Sequence, residues 1–486
     1  MISFPEKYEY SDPVAVCHKS DLQDNEMRQV VFNENTTILL VKQNDILRAV
    51  GGTCPHRGAS LSKGVLSRNR VRCPWHGACF NLETGDIENF PGLNSLPCHQ
   101  VEVDASGQVL VRVKRSYLGK NQRTKKMSRR NWQDRRCFVV VGGGPSGAVC
   151  VETLRQEGFT GRLILLCREN NLPYDRIEIM NSLNMKPNQL CLRDEKFYKH
   201  YDIEVCLGVS AEKMDTIRRT LYCSNGRILL YDKIYIATGY SAIKPNIPGV
   251  HLGNVKTIRD IDDARSILQM VGKTTRVVCL GSSFMAVEAA ANLVTKAGSV
   301  TLVARQDVPF KITLGEVIGK RIVQLLEDNN VKLRMSSGIS QILGNSLDEV
   351  TEVELLDKSR IPCDLLILGT GCQCNTDFLQ NSGVKLNPNG SVDVNDFLQA
   401  NVHNVYAFRS AGYGPYKEVI IDGSLEDLQF VAYFVNDEDA VTAVASCGRD
   451  PIVAQFAELI SQHKGLCRCQ ITDFTKRNNW IKKLMN

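Results

Sequence analysis

Two short segments, each with one cysteine and one histidine, constrain the fold of this chain more than any other feature. They are Cys54-Pro55-His56 and Cys73-Pro74-Trp75-His76, and sixteen residues separate them. Thiolate sulfur and imidazole nitrogen are both metal ligands, so the spacing predicts two loops that face each other across a metal centre. Gly58 and Gly77 follow the histidines, where the absence of a Cβ lets the backbone approach a bound group closely. The predicted metal ligands are Cys54, His56, Cys73 and His76.

The mixed pairing of these ligands distinguishes between two kinds of metal centre. In a Rieske [2Fe–2S] centre two thiolates bind one iron and two imidazoles bind the other, and each segment here supplies one ligand of each type. A zinc site is the alternative, but zinc fingers usually pair cysteine with cysteine and histidine with histidine. The all-β texture of residues 1–115, with its glycine-rich loops, favours the iron–sulfur centre. Residues 54–92 resemble a Rieske ferredoxin domain.

The sequence pattern changes at residue 137. From there on, apolar strands alternate with helical patterns, which predicts an α/β fold. The apolar run 138–141 leads into Gly142-Gly143-Gly144-Pro145-Ser146-Gly147 and then a helix, the context expected of a dinucleotide-binding motif. Gly142 is expected to make the tight turn, Gly144 to let a pyrophosphate approach, and Gly147 to allow close packing of helix on strand. The next strand ends near Glu169, a candidate for binding the adenosine ribose hydroxyls.

A second, weaker motif of this kind follows the apolar run 276–280. Gly281-Ser282-Ser283-Phe284-Met285-Ala286 keeps only the first glycine, and Ser283 puts a side chain where close approach is wanted. The following strand ends at Arg305 rather than at an acid. An acid would favour a free ribose 2′-hydroxyl, whereas Arg305 suits a 2′-phosphate, so the pattern slightly favours NADP over NAD. A structural half-domain that binds no nucleotide is the alternative interpretation.

Two further strand–turn signatures, residues 234–239 and 367–371, look like the domain crossings of two-dinucleotide flavoprotein reductases. With the cluster segments, they make nearly the whole chain similar to the Rieske-bearing branch of the apoptosis-inducing factor family. The resemblance implies FAD, with Arg176, Thr238 and Gly239 at its site, and NAD or NADP as the second nucleotide. It also implies a link to cell death, for which no residue argues by itself.

The resulting plan is multidomain. It comprises an all-β Rieske domain, a flavoprotein reductase fold of two Rossmann-like α/β dinucleotide domains, and a small α+β C-terminal domain. The predicted boundaries are 1–115 for the Rieske domain, 116–136 for a basic linker, 137–254 and 364–408 for the FAD-binding domain with a truncated second segment, 255–363 for the NAD(P)-binding domain, and 417–486 for the C-terminal domain. The family's C-terminal domain often supports dimerisation, so a homodimer is one expected assembly.

Three departures from the family predict a weakened FAD site. Ile179-Met180-Asn181 stands where the family has Leu-Ser-Lys, so the flavin-contacting lysine is missing. Arg409-Ser410 replaces the Gly-Asp that follows the last flavin strand. Only ten residues, Arg409 to Glu418, precede the C-terminal strand, too few for the family's helix beside the flavin ring. A splice or gene-model variant and an evolutionary loss of flavin affinity are both compatible with this pattern.

Charge and cysteine content limit the partners and the compartment. The net charge is +6, and residues 112–136 hold eleven Lys and Arg against one acid, Asp134. One basic run in a polar stretch is typical of a solvated linker, so no nucleic acid is expected as partner.

With no secretory signal, the 18 cysteines are expected to be thiols and metal ligands. No apolar run is long enough to span a membrane. We expect a cytoplasmic protein, with the mitochondrion as the alternative.

Two functional hypotheses follow from these patterns. The first is an NAD(P)H-dependent flavoprotein oxidoreductase that passes electrons through FAD to its own Rieske cluster and then to an unknown acceptor. Because the cofactors carry out the electron-transfer chemistry in such a protein, no acid–base catalytic residue is expected. The second is an iron–sulfur binding or signalling module on a reductase-derived scaffold with impaired flavin binding. No Cys-x₂-Cys or Cys-x₄-Cys pair follows the first glycine motif, and Cys372/Cys374 and Cys467/Cys469 are too tightly spaced for an easy disulfide. A disulfide reductase is therefore disfavoured.

Overall fold

A computed structural model of the chain describes residues 9–177, 179, 187–408, 414–472 and 480. The chain forms two compact units. The first comprises Met1–Lys126 together with Gly412–Asn486, and the second comprises Met127–Ala411. The C-terminal part of the chain thus belongs to the same unit as the segments that carry the predicted metal ligands.

From Val14 onward, the N-terminal part of the first unit consists of strands and short 3-10 turns. Its strands are β1 (Val14–His18), β2 (Glu26–Asn33), β3 (Thr36–Gln43), β4 (Ile46–Gly51), β5 (Val65–Ser67), β6 (Arg70–Arg72), β7 (Cys79–Asn81), β8 (Ile87–Asn89), β9 (Cys98–Val103) and β10 (Gln108–Arg112). They form an antiparallel six-stranded sheet in the order β1-β10-β9-β4-β3-β2 and a four-stranded sheet in the order β5-β6-β7-β8.

Strand β3 is buried on both faces, and its side chains alternate between two cores. Leu39 and Val41 pack with Phe80 in the core that lies behind the predicted ligand loops, while Ile38 and Leu40 pack with Val109 in a second core. Side chains of a strand point alternately to opposite faces, so a continuous apolar run is needed here. The predicted all-β fold of this part is confirmed.

The second unit contains the α/β part of the chain. Its strands are β11 (Cys137–Val141), β12 (Arg162–Leu166), β13 (Ile203–Cys206), β14 (Ala211–Asp215), β15 (Thr220–Cys223), β16 (Ile228–Leu230), β17 (Lys233–Ile236), β18 (Tyr240–Ala242), β19 (Val255–Thr257), β20 (Arg276–Leu280), β21 (Ser299–Val303), β22 (Val331–Arg334), β23 (Ile339–Gly344), β24 (Val350–Leu355), β25 (Arg360–Pro362), β26 (Leu365–Leu368), β27 (Cys372–Cys374) and β28 (Val405–Ala407). Its helices are α1 (Pro145–Gln156), α2 (Pro187–Leu190), α3 (Glu195–His200), α4 (Ile261–Met270), α5 (Phe284–Leu293), α6 (Lys311–Leu314) and α7 (Glu316–Asp328).

Two five-stranded parallel sheets organise this unit, in the orders β13-β12-β11-β17-β28 and β19-β26-β20-β21-β22. In β11, Val139 and Val141 pack on one face, and Val140 packs on the other. Parallel strands covered on both faces need such uninterrupted apolar runs. The predicted pair of Rossmann-like domains is confirmed, and β18 pairs with β27 where the chain passes between the two sheets.

The C-terminal part of the first unit consists of strands β29 (Glu418–Ser424), β30 (Gln429–Val435) and β31 (Val441–Cys447), followed by helices α8 (Ile452–Ser461) and α9 (Arg468–Thr472). The three strands form an antiparallel sheet, and Phe456 and Leu459 of α8 pack on Tyr433 of that sheet. The prediction of a small α+β domain is confirmed.

One prediction about the cysteines was wrong. The structure joins Cys467 to Cys469 by a disulfide, with their Cα atoms 5.5 Å apart, which lies inside the usual span of about 4.4–6.8 Å. A turn at the start of α9 brings these Cα atoms within bonding range, although the sequence spacing suggested otherwise. Cys372 and Cys374 lie on the extended strand β27 and carry free thiols.

The described helices are too short or too polar to cross a bilayer. The 13-residue α7 spans only about 20 Å at 1.5 Å per residue, whereas the hydrocarbon core of a bilayer measures about 30 Å.

Replacing Leu39 by alanine is expected to destabilise the first unit by about 2–5 kcal/mol, because a fully buried side chain leaves a cavity when it is truncated. Val31→Ala on the neighbouring strand β2 serves as the control, since Val31 is 69% exposed. Urea unfolding followed by circular dichroism measures both. Equal effects of the two substitutions would contradict the proposed core.

Candidate cluster and dinucleotide sites

The two predicted ligand loops share one backbone conformation. In the first loop the Cys54 N–H donates to the Ala59 carbonyl over 2.8 Å, and in the second the Cys73 N–H donates to the Ala78 carbonyl over 2.8 Å. Gly58 and Gly77 occupy the same place in each turn, with φ of 78° and 75°. Only glycine adopts this conformation at little cost. The sequence showed two similar motifs, but only the structure shows that they form the same turn.

The two cysteine sulfurs lie inside the protein and face each other. Cys54 is 2% exposed and Cys73 is 1% exposed. Their mutual hydrogen bond raises the pKa of Cys54 above its usual range and lowers the pKa of Cys73 to about 6. Backbone N–H groups of the following residues also donate to each sulfur. These contacts favour the thiolate form at Cys73, and thiolate is the form of cysteine that binds metal.

The two histidine rings form the second half of the site. The centroids of the His56 and His76 rings are 5.0 Å apart, and the ring planes meet at 81°. His56 is half-buried and His76 is exposed, so the imidazoles lie nearer to solvent than the sulfurs. The pairing of cysteine with cysteine and of histidine with histidine is the one that a Rieske cluster requires, with one pair for each iron.

This pairing distinguishes a binuclear cluster from a zinc site. A zinc ion needs four ligands directed at one point, whereas here the two sulfurs contact each other inside the protein and the two imidazoles lie beside each other nearer to solvent. The four side chains therefore fit a [2Fe–2S] cluster. Cys54 and Cys73 would hold one iron, and His56 and His76 the other.

Three glycines of the first glycine motif lie in two different steric environments. A Cβ added to Gly142, whose φ is 123°, would lie 2.1 Å from the Ala237 carbonyl oxygen, and one added to Gly147 would lie 1.9 Å from the Gly142 carbonyl oxygen. In contrast, a Cβ on Gly144 would meet only the Arg176 Nε, at 3.9 Å. Gly142 and Gly147 therefore serve close backbone packing, whereas Gly144 borders open space, as a phosphate-binding position should.

This open space is a cavity of about 890 Å³, near the upper end of the ~300–1,000 Å³ usual for ligand pockets. The predicted residues that line it are Gly142, Gly144, Glu169, Arg176, Thr238 and Gly239. Gly147 lies behind the loop, on the first turns of α1. The structure thus brings six of the seven residues predicted for the first nucleotide to one cavity, and its size and phosphate loop fit FAD.

Glu169 is held in place at the cavity wall by two neighbours. Its Oε2 accepts a hydrogen bond from the Tyr174 hydroxyl over 2.6 Å, and its Oε1 accepts one from Arg176. Burial alone would lower the pKa of Arg176, but the hydrogen bond and charge of Glu169 raise it above its usual value. Because each carboxylate oxygen has two lone pairs, Glu169 keeps acceptor capacity for a ribose hydroxyl.

Two residues of this cavity were missed by the sequence analysis. The Asn375 side chain donates to the Thr238 carbonyl over 3.0 Å, and its N–H donates to the Gly239 carbonyl over 3.0 Å, so it fixes the turn after β17. The Arg259 carbonyl accepts from Arg176 over 3.0 Å, and the Arg259 side chain lines the cavity. Asn375 follows the second strand–turn signature by four residues, which was the available signal.

In the second glycine motif, Gly281 corresponds to Gly142 and is retained for close backbone packing. Ser283 stands in the place of Gly144. Gly281 has a φ of 135°, and an added Cβ would lie 2.4 Å from the Gly369 carbonyl oxygen. Ser283 is the N-cap of α5, and its side chain makes no capping hydrogen bond. Arg305 is exposed just beyond β21, the neighbour of β20 in the parallel sheet. All three lie at the carboxyl edge of this sheet, where nucleotides bind in such folds.

The departures that predict a weakened flavin site lie largely beyond the described residues. Met180, Asn181, Arg409 and Ser410 are outside them. Ile179 is buried among apolar side chains. Phe408, at the end of the last flavin strand, lines the cavity and is 54% exposed.

A two-loop site for a binuclear cluster and a dinucleotide cavity on a paired Rossmann-like fold define a Rieske-bearing flavoprotein oxidoreductase. Residues 12–105 match the Rieske [2Fe–2S] domain family, and residues 137–408 match the pyridine nucleotide-disulphide oxidoreductase family. The chain is 35% identical to apoptosis-inducing factor 3 of Homo sapiens over 523 residues, covering 95% of the chain and 86% of the relative. It belongs to the Rieske-bearing branch of the apoptosis-inducing factor family.

More distant relatives share the reductase part alone. A ferredoxin–NAD(P)+ reductase of a Sphingomonas species is 27% identical, covering 64% of this chain and 74% of the relative. The ferredoxin reductase for the CYP199A2 system of Rhodopseudomonas palustris superimposes with a TM-score of 0.64 at 20% identity, covering 72% of this chain and 100% of that one. The chain is therefore an oxidoreductase of NAD(P)H-linked electron transfer, and its cofactors are a [2Fe–2S] cluster, FAD and NAD(P).

Cys54→Ser is expected to abolish cluster binding, because it removes one of the two thiolates on one iron. Cys98→Ser is the matched control, since Cys98 carries a free thiol and is not among the four ligands. Iron, sulfide and zinc contents of anaerobically purified protein measure the effect. Zinc in place of iron in the parent chain, or normal iron in Cys54→Ser, would refute this ligand assignment.

Gly144→Val is expected to leave folding unchanged and to weaken FAD binding by tenfold or more, because the added side chain enters the space that a phosphate would use. Gly147→Val is expected to prevent folding of the second unit, since its Cβ alone would meet a backbone oxygen at 1.9 Å. Thermal unfolding and flavin titration separate the two effects. A Gly144→Val variant that binds FAD normally would contradict the assigned phosphate position.

Proposed function

We propose that this chain takes electrons from NAD(P)H, by way of FAD, into its own [2Fe–2S] cluster and passes them to an acceptor that is not identified by the sequence. The observation that carries the proposal is the presence, in one chain, of a complete four-ligand cluster site and a dinucleotide cavity with an intact phosphate loop. FAD exchanges two electrons with nicotinamide and single electrons with a cluster, so it supplies the step between them.

The protein's own residues bind and orient these groups. Gly142 and Gly144 shape the phosphate loop, the Arg176 and Arg259 side chains place positive charge at the cavity, and Glu169 is positioned for a ribose. Cys54 and Cys73 bury the sulfur side of the cluster site, while His76 remains exposed. The imidazole side is then the face from which an electron leaves the protein.

The acceptor under this proposal is a one-electron carrier or a small molecule reduced in single-electron steps. Relatives of this fold include ferredoxin reductases, and one superimposable structure is a complex of putidaredoxin reductase with putidaredoxin, with a TM-score of 0.67 at 19% identity. A cytoplasmic location and a homodimer complete the proposal, and a link to cell death rests on family membership alone.

A second function, an iron–sulfur module on a reductase-derived scaffold, is favoured by a specific observation. The alignment with the human relative spans 523 residues, more than the 486 residues of this chain, so the relative has positions that this chain lacks. The flavin-side departures concern the missing lysine, the missing Gly-Asp and the missing helix, whereas all four cluster ligands are present.

Cofactor content decides between the two functions. The reductase is expected to contain about two irons and one flavin per chain, and its flavin absorbance is expected to bleach when NADH or NADPH is added anaerobically. The second function predicts the same iron content without flavin, even after incubation with excess FAD. Cluster absorbance that bleaches only after flavin reduction would place FAD before the cluster in the electron path.

Arg305→Ala is expected to raise KM for NADPH by about tenfold to a hundredfold and to leave KM for NADH unchanged, because a charged hydrogen bond to a phosphate contributes about 1.5–3 kcal/mol. Arg360→Ala, an exposed arginine on β25 of the same domain, serves as the control. Steady-state kinetics with both nucleotides measure the change. An equal effect on both nucleotides would mean that Arg305 does not read the 2′-phosphate.

A further inference from the structure

Helix α8 of the C-terminal domain places a buried carboxylate against the strand that leads into the second ligand loop. Glu458 is 1% exposed. Its Oε2 accepts hydrogen bonds from the Arg72 Nε over 3.1 Å and from the Arg72 Nη2 over 3.0 Å. Its Oε1 accepts one from the Arg70 Nη2 over 3.0 Å. Nothing in electron transfer between NAD(P)H and a cluster accounts for this contact.

Arg72 connects that carboxylate to the cluster loop at both ends of the loop. It is the last residue of β6 and directly precedes the ligand Cys73. Its Nη1 donates to the Gly77 carbonyl over 2.9 Å, and Gly77 directly follows the ligand His76. A further bond from Nη2 to the Asn89 Oδ1 measures 3.2 Å. Arg72 thus holds the second loop closed from inside the protein.

The guanidinium of Arg72 is nearly as buried as its partner, with 6% of the side chain exposed. A buried cation is costly unless an anion compensates for it. Burial alone would raise the pKa of Glu458, but hydrogen bonds from Ser67 and Arg72 and the charges of Arg72 and Arg70 hold it below its usual value. Glu458 is therefore ionised at neutral pH and balances the cation beside the cluster loop.

Neighbouring side chains complete the contact between the two parts of the unit. Gln462, the residue that caps the C-terminal end of α8, donates to the Ser67 Oγ over 3.1 Å. A second carboxylate of the C-terminal domain, Asp450, lies close enough to act on the Cys73 thiol. The C-terminal domain thus brings negative charge to the inner side of the loop that carries two cluster ligands.

We propose that Glu458 is a positioning residue for the Rieske cluster: by pairing with Arg72 it holds loop 73–78 in its ligating conformation, and its charge lowers the reduction potential of the bound cluster. The C-terminal domain thereby tunes the cluster. This role requires the cluster but not the flavin route of the proposed function, so the two succeed or fail separately.

The direction of the potential shift follows from charge. Reduction adds one electron to the cluster, and a nearby anion opposes that added charge. Removing the Glu458 charge leaves the Arg72 cation uncompensated and favours the reduced cluster. We expect the equilibrium constant for one-electron reduction to rise about tenfold, equivalent to about 59 mV for a one-electron couple.

The test uses the full-length chain, anaerobically purified, with Glu458→Gln and Glu458→Asp variants. Redox titration monitored by electron paramagnetic resonance measures the cluster potential, and decay of cluster absorbance in air measures retention. We expect Glu458→Gln to raise the reduction potential of the cluster by about 59 mV, which is a tenfold change in the equilibrium constant for a one-electron couple. We also expect this variant to lose its cluster faster than the parent chain. Glu458→Asp, which keeps the charge, is expected to return the potential toward that of the parent chain.

Glu418→Gln is the matched control, because Glu418 pairs with Arg468 in the same domain but is 45% exposed. It is expected to change neither readout. A Glu458→Gln protein with the parental potential and the parental decay rate overturns the proposal, as does Glu418→Gln with the same shift, which would indicate a general effect of domain charge.

A double variant keeps the proposal testable when Glu458→Gln does not fold. Arg72→Met with Glu458→Met replaces both buried charges by apolar side chains, a change that such pairs often tolerate. We expect it to fold and to keep a potential near the parental value, because no net charge is lost. It is expected to lose its cluster faster because the bond to Gly77 is gone, and parental retention would overturn the positioning role.

Discussion

The approach of two buried thiols, Cys54 and Cys73, governs how the first unit is built. The two loops turn the same way, and backbone N–H groups of each loop donate to its sulfur, which favours the charged form of a thiol inside a protein. Gly58 and Gly77 make that turn possible with their positive φ. The apolar side chains of β3 and β7 form the floor on which both loops rest.

The second unit repeats one steric solution in two domains. In each, a glycine with positive φ ends the first strand and lies against a backbone carbonyl of a neighbouring segment, Gly142 against Ala237 and Gly281 against Gly369. The packing requirement is thus retained in both domains. The phosphate-approach position differs, because Gly144 borders an open cavity whereas Ser283 carries a side chain there.

Charge is distributed differently at the two sites. Three arginines and three carboxylates line the flavin cavity, so it offers guanidinium groups to a pyrophosphate and carboxylates to ribose hydroxyls. Around the cluster loop, the buried cation of Arg72 is matched by the anion of Glu458. The charged side chains of the cavity line the space that a ligand would occupy. At the cluster loop, Arg72 and Arg70 bond to Glu458 inside the protein, so their charge bears on the position and potential of the cluster that the loop would hold.

The sequence by itself determined the features that depend on local spacing. The four cluster ligands, the first glycine motif and the strands of the two parallel sheets were each predicted from short stretches. In those stretches the residue types and their spacing indicate the local structure directly. Tertiary structure decided the features that join distant segments. Arg72 and Glu458 are 386 positions apart, and Thr238 and Asn375 are 137 apart. An isolated arginine or glutamate carries no local pattern that names its partner, because a side-chain ion pair depends on which surfaces pack together and not on the residues beside it.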